Sequence, residues 1–507
     1  MSLADDRARA GSGWLQSPAR TGARERRWLI VAMALFVALS WVVVSPHGIN
    51  ASWRECDTQA IARNFLVDGF DPLRPRVDWR GDTDGAVECE FPLYQAIVFG
   101  ALSVFGDVEW PGRLLSLFAI LLTALSLHRL LEWRAGPAAA LAGSLVFLSG
   151  GQAVLLSSRV APDSLSLALA VAGLVTFLRY LQSGSPSALW LAVAATAFAA
   201  LQKPTALQFG LLFFTWTLIL APKRLGEVRL WAGFAVILVA VGVWLAHAAG
   251  LHAETGLTFG VISGGDTKFP DLAHLLDPSL HVHLVKTTAR YGISIFGGIA
   301  LVVLAVRRRF DRADLALLGT VVLGLVGTLR YSHQVGMGAH YHVFAALAGA
   351  FFVARAWPQK APRWAWALFA VAIAVHGGWQ FARERRLHLV NAGAELLEVA
   401  AALREASTED ERVVVWAEKP TFDEFWQRRN NYEDPRILYQ ARRRGWVLPA
   451  DGLDVERLEG LSERGAGFLV DTAADRATPE LREWLAQRAE VVCRTKKMLV
   501  YRLRPSP

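Results

Sequence analysis

Two short stretches set acids beside apolar sequence. In "WRECDTQAIARNF" (residues 53–65), Asp57 opens a segment whose Ala60, Ile61, Asn64 and Phe65 recur at helical spacing. In "VECEFPLYQ" (residues 87–95), Glu88 and Glu90 come just before an apolar run. The pattern predicts a helix lying on a membrane with Asp57 at its N-terminal end. It also predicts a short, half-buried helix over 91–106, with Glu90 at its start. Both carboxylates then sit at a lipid boundary, where water is scarce and a charge counts for more. The other acids of this region, Glu55, Asp68, Asp71, Asp78, Asp82 and Asp84, read as a solvated acidic loop, and Glu88 as the wetter neighbour of Glu90.

The elements that must position these acids follow from composition. The chain has 507 residues, 53% of them hydrophobic, and a mean hydropathy of +0.30. Many apolar runs approach the ~20 residues that a helix needs to cross a bilayer, so the fold class is a polytopic α-helical membrane protein. The net charge of +8 is what cytoplasmic Lys/Arg flanking membrane helices produces, and nucleic acid is excluded as a partner. Residues 1–24 read as a disordered cytoplasmic tail, and the apolar core at 28–44 as an uncleaved signal anchor. Residues 45–90 form the first outer loop. Spans follow near 110–134, 137–156, 162–181, 187–202, 204–221, 230–249, 287–306, 313–331, 340–356 and 363–381, about eleven with the anchor. Basic loops such as "PKRLGEVR" and "VRRRFDR" fall inside. One run disagrees: "ARERRLH" (residues 382–388) is basic yet emerges on the outer side.

The membrane domain thus covers 25–382, and residues 383–507 form an extracytoplasmic domain. There "RVVVW", "GFLV", "VVC" and "KMLVYRL" read as short buried strands, with "VERLEGLSE" and "PELREWLAQR" as helices between them. Alternating strand and helix predict a small α/β layer. It carries no phosphate-binding glycine loop and no metal-ligand spacing. Ionisable residues are sparse within the spans and acids cluster outside, which favours chemistry at the outer membrane face over passage through it.

These residues carry a resemblance. Asp57, Glu90-Phe91-Pro92, Phe105-Gly106, Gly112-Arg113-Leu114, "SSRVAPDS" with Asp163, "LQKPTAL" with Lys203, "AHYHVF" with His340 and Tyr341, and "LYQARRRGWVL" follow one another in order. This ordered set resembles the GT-C superfamily of polyprenyl-phosphate-sugar-dependent glycosyltransferases, in the branch of protein O-mannosyltransferases and the lipid A aminoarabinose transferase. The sequence departs from that pattern at Leu93, where a second proline is frequent, and at His342, where a second tyrosine is frequent.

The resemblance implies an inverting transfer of one hexose or pentose from a polyprenyl phosphate to a cell-envelope acceptor, at the outer face of a bacterial inner membrane. The acceptor is a glycolipid, a glycan or a protein. Phosphate leaves readily, so the acceptor hydroxyl needs a base and the leaving phosphate needs positive charge. Asp57 is assigned as base, with Glu90 shaping the site or binding the acceptor and Asp163 as a further acid. Lys203, Arg330 and Arg159 are assigned to the donor phosphate, and His340, Tyr341 and Glu88 to substrate contact. No cofactor is assigned; a divalent cation, Mg²⁺ or Mn²⁺, stays open. Cys56 and Cys89 lie on the oxidising side, either as a disulfide closing the first loop or as two buried thiols, while Cys493 reads as a strand-core thiol. A second reading is a non-catalytic glycan-lipid transporter or an envelope-binding scaffold.

Overall fold

The computed structural model describes residues 23–44, 52–263, 270–329, 341–358, 360–390, 393–424, 428–473 and 476–504. The chain divides into two compact units. One comprises Met1–His47, Gly112–Trp244 and Thr267–Leu387; the other comprises Gly48–Pro111, Leu245–Asp266 and His388–Pro507.

The first unit is helical. Trp110–Ala135, Pro162–Ser183, Val228–Thr255 and Arg363–Leu387 are long and apolar enough to cross a bilayer, and two bent pairs raise the number to six among the described residues. Each expected span falls on one of these, on a shorter apolar helix, or on Ala23–Val44 or Arg312–Gly327. Two spans expected to be continuous are bent. Pro137–Ser149 and Gly151–Ser157 meet at 57°, and Pro278–Tyr291 and Ser294–Val306 at 105°. The second bend is held by close packing: a Cβ on Gly349 would meet the Ile293 carbonyl oxygen at 2.3 Å, and one on Gly297 would meet the Gly349 Cα at 2.7 Å. Small residues at such contacts let membrane helices approach. On Arg363–Val390, Trp364, Leu368, Val371 and Val375 form an exposed stripe at helical spacing, each more than 60% exposed. Such a face suits lipid rather than water.

The second unit is a three-layer α/β assembly. Its five-stranded sheet runs in the order Gly445–Leu448, Arg412–Trp416, Ala466–Asp471, Leu499–Leu503, Ala489–Arg494; the first three strands are parallel and the last two antiparallel. Side chains alternate across it. Val413, Val415, Phe468, Val470 and Val500 face one core with Val399, Leu403 and Leu438. Val414, Trp416 and Leu469 face the other with Leu458, Leu461, Leu481 and Leu485.

The first core also contains Ile61 and Phe65. The helix Trp53–Val67 is therefore an internal element of the α/β unit, buried from Glu55 to Phe65. Its apolar face, which the spacing predicted for a membrane surface, packs on the sheet instead, because a face that suits lipid equally suits a sheet. The segment 78–81 continues the coverage: Gly445 N donates to the Asp78 carbonyl at 3.1 Å, and Gly81 N to the Gly445 carbonyl at 2.8 Å. Only glycine fits at 445, where a Cβ would stand 1.8 Å from the Val413 carbonyl oxygen.

Candidate active site

A capping box starts Trp53–Val67, with Ser52 Oγ accepting from Glu55 N and Glu55 Oε2 accepting from Ser52 N. This fixes the first turn, and hence Arg54 and Asp57, which share a face at i, i+3. Asp57 is 9% exposed. Its Oδ1 accepts a hydrogen bond from the Trp79 indole Nε1 at 2.9 Å. Burial pushes its pKa from 3.8 to about 8; the Trp79 bond and the Arg54 charge pull the other way without cancelling it, and Asp78 and Asp434 add to the rise. The group is thus a carboxyl oriented at one oxygen and poised near neutrality.

Glu90 is different. Arg54 Nη2 donates to both of its oxygens, at 2.8 and 2.7 Å, with 14% of the Glu90 side chain exposed. Arg54 also lies 5.5 Å from the Phe259 ring centroid, and Phe259 packs against Trp79 at 6.2 Å. Asp57 and Glu90 are therefore linked through one arginine and one aromatic pair, all within the α/β unit.

Glu88 corrects the sequence expectation. It is fully buried, not solvated. Its carboxylate accepts from Ile262 N at 2.6 Å, from Ser263 N at 3.1 Å and from the Thr258 hydroxyl, while its backbone pairs with Leu257 and Phe259. With its oxygens held by the chain, it fastens the segment 257–263 rather than meeting a substrate. Cys56 and Cys89 are buried thiols not joined in a disulfide, and burial pushes both up. Cys493 is free and partly buried beside the sheet core.

The remaining candidates lie in the helical unit. Pro204 drives the residue before it out of the helical region, so Lys203 is extended (φ −147°, ψ 104°) between Pro186–Gln202 and the turn Pro204–Leu207. Its Nζ lies 3.5 Å from Asp163 Oδ1. Asp163 follows Pro162 in the first helical turn of its span, where a carboxylate is favoured by the helix dipole. Arg159 donates from Nε and Nη2 to Glu384 Oε1 at 3.0 and 2.7 Å. Tyr341 is half-buried just before Val343–Ala356. Arg330 and His340 fall outside the described residues.

Arg54 and Trp79 were missed by sequence reasoning. Arg54 had a usable signal, three residues before Asp57 on one helix face; Trp79 had none, since the loop fold brings it there. No group of three or more His, Cys, Asp or Glu side chains disposed for a metal occurs among the described residues.

Residues 90–247 match the family described as dolichyl-phosphate-mannose-protein mannosyltransferase. No curated protein matches the sequence. Among solved structures, the chain is similar to ArnT from Cupriavidus metallidurans bound to undecaprenyl phosphate, at 16% identity and a TM-score of 0.66, covering 94% of this chain and 97% of that one. The apo state of the same protein gives a TM-score of 0.67 at 16% identity, covering 94% and 98%. The archaeal oligosaccharyltransferase AglB from Archaeoglobus fulgidus, in complex with an inhibitory peptide and a dolichol-phosphate, gives 0.56 at 12% identity, covering 89% and 70%. At these identities the likeness is one of fold: the chain shares the fold of these structures, with a multi-pass helical region and a small mixed-sheet domain.

Proposed function

We propose that this GT-C chain is a membrane glycosyltransferase that moves one sugar from a polyprenyl-phosphate donor to a cell-envelope acceptor. The match to a mannosyltransferase family over 90–247 and the full-length likeness to ArnT support this class; no observation favours the transporter or scaffold reading. The observation that carries the mechanism is the contrast between the two acids. Glu90 is neutralised by Arg54, whereas Asp57 is oriented by Trp79 and raised to about 8.

Asp57 takes the proton of the acceptor hydroxyl. That oxygen then forms a bond to the anomeric carbon, and the bond from that carbon to the phosphate oxygen breaks, its electron pair leaving with polyprenyl phosphate. A single displacement inverts the anomeric centre. A base with a pKa near 8 is stronger than an ordinary carboxylate, and about one tenth of it is ionised at pH 7, a workable compromise for proton transfer. Glu90 and Arg54 hold the first turn on which Asp57 stands. Positive charge for the departing phosphate is assigned to the cations of the helical unit, Lys203 and Arg159 among them, with Asp163 setting the position of Lys203. The acidic loop and the α/β unit are placed on the extracytoplasmic side of the inner membrane.

The test supplies labelled polyprenyl-phosphate sugars to native membranes and follows label into lipid, glycan and protein fractions. Label entering one fraction only when the protein is present establishes the activity and names the acceptor class. No transfer with any donor, from folded protein, would refute it.

A further inference from the structure

The indole that bonds Asp57 belongs to no helix or named strand, so its placement has to come from its neighbours. Residues 76–80 are fastened to the helix Trp53–Val67 at three points. Asn64 Nδ2 donates to the Arg76 carbonyl at 2.9 Å and to Asp78 Oδ1 at 3.1 Å. Arg63 Nη2 donates to Asp78 Oδ2 at 2.5 Å. Arg80 donates from Nη1 and Nη2 to Oδ2 of Asp68, which ends the helix, at 3.1 and 3.0 Å. Asn64 follows Asp57 by seven residues, two turns along the same helix face. Asp78 and Trp79 are consecutive. A carboxylate held at Arg63 and Asn64 therefore sets the next residue's indole two turns back, where Asp57 stands.

Arg63 is itself fixed. Its Nη1 donates to the Tyr439 carbonyl at 3.0 Å, and its guanidinium lies 4.8 Å from the Tyr439 ring centroid. Tyr439 in turn packs with Cys56 and Ala60. Asp78 is 1% exposed and Arg63 8%. Burying such a pair desolvates two charges, and well-packed apolar side chains would join helix and loop as firmly. What the charged pair adds is a single register. A slip of one residue along the segment would set Val77 or Trp79 against Arg63 and leave a buried charge unpaired.

We propose that Arg63, Asn64 and Asp78 are positioning residues for the base: they clip the segment that carries Trp79 in one register, and through the indole they set the orientation of the Asp57 carboxyl. This rests on the reading of Asp57 as the base of the transfer. Asp78 also acts on Asp57 through space, adding to the rise in its pKa. The charges facing Asp57 are Arg54 on its own helix, Asp78 in the clipped segment and Asp434 ahead of the helix Arg436–Ala441, with the Cys56 and Cys89 thiols beside it. Asn64 is neutral, so Asn64→Ala separates the geometry of the clip from its charge.

The Trp79 indole N–H reports the clip without any sugar donor. It is followed by NMR of full-length protein in detergent, labelled at tryptophan nitrogen, with the signal identified by its loss in Trp79→Phe. In wild type the signal should shift as Asp57 ionises, with a midpoint near pH 8. In Asn64→Ala and Asp78→Asn that shift should be lost. Their kcat on the high-pH plateau should fall about tenfold with donor KM unchanged, the effect of a small misplacement. Adding Trp79→Phe should lower it no further, because the clip acts through the indole. Asp78→Asn leaves Arg63 buried without its counter-charge; if it fails to fold, Asn64→Ala keeps the ion pair and carries the test. A wild-type indole shift in folded Asn64→Ala or Asp78→Asn overturns the clip, as do losses that multiply with Trp79→Phe. Full transfer by folded Asp57→Asn would remove the base reading, and the indole signal would still decide whether the clip sets the Trp79–Asp57 bond.

Discussion

At the residue scale, the raised pKa of Asp57 has two consequences with opposite signs. As a base it works only when ionised, so transfer should rise with pH and level off above about 8. As a buried acid it stabilises the fold when protonated. Its folded pKa lies above its unfolded value, so this contribution is complete below about pH 4 and is lost as pH rises through about 8. Melting temperature against pH should fall across that window in the wild type and fall less in Asp57→Asn. Trp79→Phe removes the indole donor that favours the carboxylate. The midpoint of the rate profile should then move to higher pH, with a stability loss of about 1–2 kcal/mol; an unmoved midpoint would show that the indole does not tune the base. Asp57 and Glu90 stood out as candidates because acids beside apolar sequence are rare enough to notice. Their opposite states were not legible, because they depend on Arg54 and Trp79, and Trp79 reaches Asp57 only through the tertiary path of the loop.

At the element scale, the helix Trp53–Val67 joins the site to the sheet. Its spacing was readable as a helix, but not its start at Trp53, ahead of Asp57, nor its partner, since Ile61 and Phe65 present the same apolar face to lipid or to a β-sheet. Burial of that face against Val413, Val415 and Phe468 predicts that Ile61→Ala costs about 2–5 kcal/mol, measured by thermal unfolding of the purified protein. An exposed, lipid-facing position would lose almost nothing. Gly445→Ala should be worse than its size suggests, because the added methyl meets the Val413 backbone and not a movable side chain; folded yield is the readout. The bends at Gly150 and Ile293 were invisible to hydropathy, which sees apolar runs and not the close approach of Gly297 to Gly349.

At the scale of the whole molecule, span positions and the α/β character of the C-terminal region followed from periodicity, since long apolar runs and alternating strands are local signals. The make-up of the second unit did not, because residues 48–111 and 245–266 join it through contacts distant in sequence. The fragment 388–507 alone should therefore be aggregation-prone, with the sheet face that Ile61 and Phe65 cover exposed to water; binding of a hydrophobic dye should fall when residues 52–111 are supplied by fusion. A fragment that is soluble and dye-negative by itself would contradict that. The central claim is that the chain transfers a lipid-linked sugar with Asp57 as base, and one comparison reaches it most directly: the rate of sugar transfer by purified wild type and Asp57→Asn, at equal folded amount, with a donor that the wild type uses. The account predicts a loss of at least about a hundredfold, the usual contribution of a general base, with donor binding kept. Full transfer by folded Asp57→Asn would contradict it.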